Sequence, residues 1–292
     1  MEMSVFSLSC SFISLSLIIS PPYTHCDCAH LFLSLSSPPS LSQSLAVGSL
    51  PLVLRLLCLM QTSGSTENEM DGIHFKLLYH VSNLTGKLKA SNTECLLPAF
   101  SYLYCCLRLS PPHCTDRAVS MLLCNTGLMD QLQATLNLSS SSSLAPSLSP
   151  TSALLCCSRL LLSSLITLQH THSAQVHRSI RLNLGSTVQA LVFGKRKTGS
   201  LLLASSLRLL QAVLDVDLES PVLCVNVGPG VGQRPLGDTD SSLYPLASYG
   251  AHCLITALYG LLLQKQELLL SVSVNCLGSL LGFLHRRSPS TA

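Results

Sequence analysis

SLLLASSLRLLQAVLDVDLE, residues 200–219, decides how the chain is read. At helical spacing its strongest polar positions, Arg208, Gln211, Asp215 and Glu219, recur every three or four residues. They form one narrow stripe, and Leu, Val and Ala fill the rest of the circumference. A helix with so little polar surface must be covered on two sides, which predicts an inner member of a helical stack.

Neighbouring stretches repeat the pattern. Shifted by 48 positions, residues 155–166 fall on residues 203–214, with Leu161 over Leu209 and Leu162 over Leu210. That offset is close to the roughly 40–47-residue period of armadillo and HEAT repeats, whose helices cannot bury their apolar faces alone. The expected fold class is therefore all-α: an armadillo/HEAT-like α-solenoid fragment preceded by a low-complexity N-terminal region.

Working outward, residues 73–90 place Phe75, Leu78, Val81 or Ser82, and Thr85 on one side, with Lys76, His80, Lys87 and Lys89 toward solvent. Residues 91–94, SNTE, have the form of a capping box opening a helix over 95–109, with Pro98 in its first turn. Thr115 and Asp116 then cap a helix over 117–138 that Asn125, Thr126 and Gly127 divide. Further helices are expected over 152–169, 173–193, 244–263 and 267–287, the last two joined by Gln264, Lys265 and Gln266.

Composition marks the breaks. Residues 1–66 form a low-complexity segment, expected to be disordered or spurious. Its Leu-Ser alternation is what a translated CT repeat produces, and Pro21, Pro22, Pro38 and Pro39 interrupt it. The apolar run 5–19 has the length of a signal-peptide core, but Glu2 stands where a positive charge is required. Residues 67–292 are the expected helical-repeat domain, with a Ser-rich linker at 139–151, a basic turn at 194–199 and a Gly/Pro-rich loop at 220–243.

The chain is 47% hydrophobic and only 11% charged, with no Trp and a mean hydropathy of +0.45. These values suit either a membrane protein or a piece of something larger. Arg208, Gln211 and Asp215 in the middle of the most apolar helix disfavour the membrane alternative, since each charge at bilayer depth costs about 2.5–3.5 kcal/mol. A net charge of +3, with basic residues scattered rather than striped, predicts no direct nucleic-acid binding. The fourteen Cys include the adjacent pairs Cys105-Cys106 and Cys156-Cys157 but no C-x-x-C, and are read as reduced, mostly buried small hydrophobes.

Candidate chemistry is sparse, and no catalytic, cofactor-binding or metal-binding residue is assigned. Cys26, Asp27, Cys28 and His30 are metal ligands by type, without a second pair at zinc spacing. The run from Gly228 to Gly232 departs from the dinucleotide fingerprint, and Pro229 removes an N–H a phosphate would need. His170, His172 and His177 read as histidines at a helix end rather than a metal cluster. The sequon at Asn83 falls within a helix. Lys195–Lys197 and His285-Arg286-Arg287 have the charge of import signals or phosphate contacts, but read more simply as solvated turns. No enzyme, no cofactor and no metal are expected; the partners expected are other proteins.

LYGLLLQKQELLLSVSVNCLGSLLGFL (258–284) and GIHFKLLYHVSNLTGKLKASN (72–92) resemble the vertebrate meiosis inhibitor 1 family of long helical-repeat proteins, over about residues 72–287. The resemblance implies a nuclear germ-cell factor required for meiotic double-strand-break formation and chromosome synapsis. It implies protein contacts within a larger assembly, with meiotic recombination factors as partners. Because the family's chains are much longer, it also implies a fragment or an incomplete gene model.

Overall fold

A computed structural model describes residues 72–109, 112–137, 150–193, 200–226, 248–263 and 266–287. The expectations for residues 1–66, for most of the Ser-rich linker, for the basic turn 194–199 and for the glycine-rich part of the 220–243 loop lie outside these. The helices are α1 (Gly72–Lys87), α2 (Thr93–Leu109), α3 (Pro112–Leu123), α4 (Thr126–Asn137), α5 (Pro150–His172), α6 (Leu184–Phe193), α7 (Ser200–Asp215), α8 (Ser248–Leu262) and α9 (Glu267–Arg287). Two short strands, β1 (Ile180–Asn183) and β2 (Leu223–Asn226), complete the described part.

Four helices form a row in which each packs on the next: α2 on α5, α5 on α7, α7 on α9. Against it lies a second row, in which α4 packs on α1, the strand pair follows α4, α6 packs on β2, and α8 packs on α6. The core runs between the rows, with Phe100, Tyr102, Leu161, Leu162, Leu209, Leu210 and Phe283 essentially inaccessible to solvent. Helix α7 is covered by α5 on one side and α9 on the other, as its narrow polar stripe requires. Leu203, Leu207, Leu209, Leu210, Val213 and Leu214 are buried, whereas Arg208 and Gln211 are half-buried and Asp215 is exposed. Glu219, assigned to the same stripe, lies beyond the helix end.

The helix expected over 173–193 is a correction. Residues 180–183 are a strand, and the helix begins only at Leu184. β1 pairs in parallel with β2, Ile180 opposite Leu223 and Asn183 opposite Asn226, so the loop expected over 220–243 starts with a strand as well. Two contacts distant in sequence hold β1. One is β2; the other is the Gln133 carboxamide of α4, whose Oε1 accepts the Arg181 N–H at 2.6 Å and whose Nε2 donates to the Arg181 carbonyl at 3.1 Å. Gln133 thus occupies the free edge of the strand as another strand would.

The helix starts are also shifted. Asn92, not Ser91, caps α2, its Oδ1 accepting the Cys95 N–H at 3.3 Å. With α2 opening at Thr93, Pro98 falls in the second turn and leaves the carbonyl of exposed Glu94 without its helical donor. Thr115 and Asp116 lie inside α3, which opens at Pro112. The break predicted at 125–127 does occur. Asn125 Oδ1 accepts the Leu128 N–H at 3.1 Å and starts α4. Pro150 and Thr151, assigned to the linker, are the first residues of α5.

Candidate functional site

Among the described residues, the exposed large apolar side chains gather on and beside α8 and α9, with Tyr79 of α1 apart from them. Helix α8 turns Ala251, Leu254, Ala257, Leu258 and Leu261 inward, against α6 and α9. Its outward residues Ile255 and Tyr259, and Leu263 just past its end, follow at intervals of four and are 40, 63 and 63% exposed. Helix α9 buries Leu269, Val272, Cys276, Leu280 and Phe283 against α7 and α8. It presents Leu270, Val274 and Leu281 outward, the last two 52 and 56% exposed. Between them Gly278 faces open space, since a Cβ built there meets no atom within 4 Å. Helix α8 contains no Asp, Glu, Lys or Arg, and α9 has none between Glu267 and Arg286. Exposed His252, Thr256 and Asn275 stand among these six apolar side chains on the same two helices.

The basic end of α9, read from sequence as a solvated turn, is engaged within the chain. Helix α7 ends in a Schellman motif, the Leu218 N–H reaching the Val213 carbonyl at 3.0 Å and the Asp217 N–H the Leu214 carbonyl at 3.1 Å. Asp217 and Leu218 both have positive φ, 56° and 64°, where glycine is normally preferred. Arg287 Nε lies 3.2 and 3.1 Å from the two Asp217 carboxylate oxygens, and Arg286 donates to the Leu214 carbonyl at 2.8 Å. The two guanidinium groups therefore fasten α9 to the end of α7.

Polar groups inside the stack serve packing. On α5, Arg159 Nη1 donates to Ser206 Oγ of α7 at 2.7 Å, and burial pulls its guanidinium down to about 10, which leaves it charged at neutral pH. Cys157 meets Ser101 Oγ of α2 at 3.3 Å. Burial pushes the Cys157 and Cys276 thiols up to about 12 and raises Cys106 as well, so at neutral pH they are neutral and poor nucleophiles. His170 and His177 are exposed, and His172 Nδ1 lies 2.9 Å from Asp116 of α3. Asn83 of the sequon accepts a hydrogen bond from Asn125 Nδ2 at 3.1 Å, so its amide joins α1 to the start of α4. Among the described residues no three His, Cys, Asp or Glu converge as metal ligands. Cys26, Cys28, His30, Lys195–Lys197 and Gly228–Gly232 lie outside the described residues.

Among the described residues two helices, α5 and α9, are long and apolar enough to cross a membrane. Helix α5 packs against α2, α3, α4 and α7, the environment of a core helix. Helix α9 is covered on one side only, and its other side belongs to the apolar face. Sequence reading found α8 and α9 but not this face, because an apolar helix position does not announce which neighbour it lacks. The available signal was the absence of charge throughout α8.

Compared with known proteins, the chain resembles meiosis inhibitor protein 1 of Homo sapiens, 38% identical over 252 residues, which cover 86% of this chain and 19% of that protein. It is also similar to meiosis inhibitor protein 1 of Mus musculus, 36% identical over 246 residues, 84% of this chain and 19% of that one. The resemblance seen in residues 72–92 and 258–284 thus extends over most of the chain. The chain spans about a fifth of the length of these curated relatives. No family model and no solved structure matches.

Proposed function

We propose that the chain is a non-enzymatic scaffold of the armadillo or HEAT kind, acting through protein contacts in meiosis. The observation that carries this reading is the similarity to meiosis inhibitor protein 1 of two mammals across more than four fifths of the chain. The packing supports it. Two rows of helices, each member of the first covering the next, give an extended helical surface of the type repeat proteins use to bind other proteins. On this reading the chain works in the nucleus of meiotic cells, in an assembly of meiotic recombination factors that serves double-strand-break formation and chromosome synapsis.

The test is disruption of the gene in the germ line, followed by immunofluorescence of prophase nuclei. Loss of the phosphorylated-histone foci that mark breaks, together with unpaired chromosome axes, is the expected outcome. Normal breaks and normal synapsis would refute the meiotic role. Fractionation of the tagged chain separates the alternative: nuclear recovery without detergent fits a scaffold, whereas strict detergent dependence fits a membrane-anchored protein built on α9.

A further inference from the structure

We infer that the outer face of α1 is a docking surface for an acidic helical segment of a partner protein, which deepens the scaffold reading and rests on it. Lys76, His80, Asn83 and Lys87 follow one another at intervals of four, three and four residues, so they line a single stripe about 16 Å long. Lys76 and Lys87 are exposed, and Lys89 stands exposed just past the helix end. Three of the chain's six lysines thus lie on or beside one helix, and α1 contains no Asp or Glu. The opposite side of the helix, with Leu77, Leu78, Val81 and Thr85, is buried, which fixes the stripe toward solvent.

Charge selects the occupant. Among the described residues no ion pair engages Lys76, Lys87 or Lys89. Helices α2, α3 and α4, which pack on α1, offer three carboxylates: Asp116 is paired with His172 and Asp130 with Arg178, which leaves exposed Glu94. Arg117 of α3, its guanidinium 4.4 Å from the centre of the Phe75 ring, adds a further positive charge beside the start of the stripe. An acidic partner gains from this imbalance, and a basic one is repelled. Tyr79 gives the face its apolar anchor. It is 52% exposed on the flank of the stripe, and its ring meets His80 edge-on at 5.7 Å between ring centres. Tyrosine is among the side chains that contribute most to binding once a partner covers them. A partner helix with carboxylates every three or four residues matches the period of the stripe. One exposed aromatic ring on α1 offers no succession of platforms for the bases of a single strand.

Fluorescence anisotropy of a labelled helical peptide carrying Glu at every third or fourth position, titrated with the full chain, tests this. The expected result is saturable binding that falls at least about tenfold when the peptide's Glu are replaced by Gln. Lys76→Glu with Lys87→Glu weakens it as much, while helical circular dichroism and melting stay unchanged. Tyr79→Ala weakens it several-fold at low and at high salt, whereas the effect of the lysine substitutions largely disappears at high salt. Absence of binding, or equal binding of the Glu and Gln peptides, overturns the inference. So does oligothymidylate held through the same lysines more tightly than the peptide, which would give the face to a nucleic acid. Peptide binding that emerges only with Glu67→Gln, Glu69→Gln and Asp71→Asn also overturns it, giving the face to the chain's own acidic run. The assay is independent of the germ-line test. A chain needed for meiosis that ignores the peptide refutes this surface alone, whereas a dispensable chain that binds it refutes the meiotic role alone.

Discussion

Arg287 holds Asp217 across 70 residues of sequence, its Nε within 3.2 Å of both carboxylate oxygens. Asp217 sits where a Schellman motif favours glycine, and the left-handed conformation costs an aspartate about 1 kcal/mol. The guanidinium offsets that cost, because a bidentate, partly buried pair is among the stronger ion pairs a surface offers. Asp217→Asn, which tolerates the same backbone, is expected to lower stability by about 1 kcal/mol. In a double-mutant cycle with Arg287→Ala the losses should be less than additive, read by urea denaturation. Strictly additive losses would mean that the pair contributes nothing.

Gly86 of α1 and Gly127 of α4 place two helices backbone against backbone. A Cβ added at Gly86 would come within 2.7 Å of the Gly127 carbonyl carbon, and neither side has a flexible atom to move. Gly86→Ala should therefore destabilise the fold by about 1–3 kcal/mol, through overpacking. At Gly278 an added Cβ meets nothing, so Gly278→Ala should stabilise α9 by about 0.5–1 kcal/mol. Thermal melts of the two variants should move in opposite directions, and a shift of the same sign in both would contradict the close α1/α4 contact.

The parts legible in sequence were those fixed by local pattern. The stripe through Arg208, Gln211 and Asp215 announced a helix covered on both sides, and the Asn125-Thr126-Gly127 break fell where Asn125 caps α4. Strand β1 was not legible, because IRLN is four residues long and alternates too briefly to outvote the helical pattern around it. Its conformation depends on Leu223 and its neighbours and on Gln133, more than 40 residues away on either side. Arg286 and Arg287 were misread for the same reason. A basic helix end looks solvated until the carbonyl and carboxylate it meets, at Leu214 and Asp217, are brought beside it.

Leu209 and Arg208 are adjacent on α7 and opposite in environment. Leu209 is 1% exposed in the core between the helices. Arg208 is half-buried, with a 3.4 Å contact to Gln211 and an inaccessible Nε that finds no acceptor. Leu209→Asp introduces a buried, unpaired carboxylate and should unfold the stack, a loss above about 4 kcal/mol. Arg208→Ala removes a poorly satisfied donor and should stay within about 0.5 kcal/mol of the parent. Chemical denaturation of the two variants checks this, and equal midpoints would show that the inner face has been assigned to the wrong residues.

The buried thiols make stability fall in alkali. Burial raises Cys157 and Cys276 from 9.0 in the open chain to about 12 in the folded one. Each holds its proton more tightly when folded, so its contribution is complete below about pH 9 and is lost as pH rises from there through 12. Tyrosines and lysines titrate over the same range, so the informative quantity is the difference between the parent chain and Cys276→Ala. The variant should start less stable, through the small cavity it leaves, and should lose less stability between pH 9 and 12. Alkylation by iodoacetamide at mildly alkaline pH gives a second readout. Exposed Cys124 and Cys224 should react in the native chain, whereas buried Cys276 should react only after denaturant is added. Rapid native labelling of Cys276 would place it at a surface and undo the packing of α9 on α7.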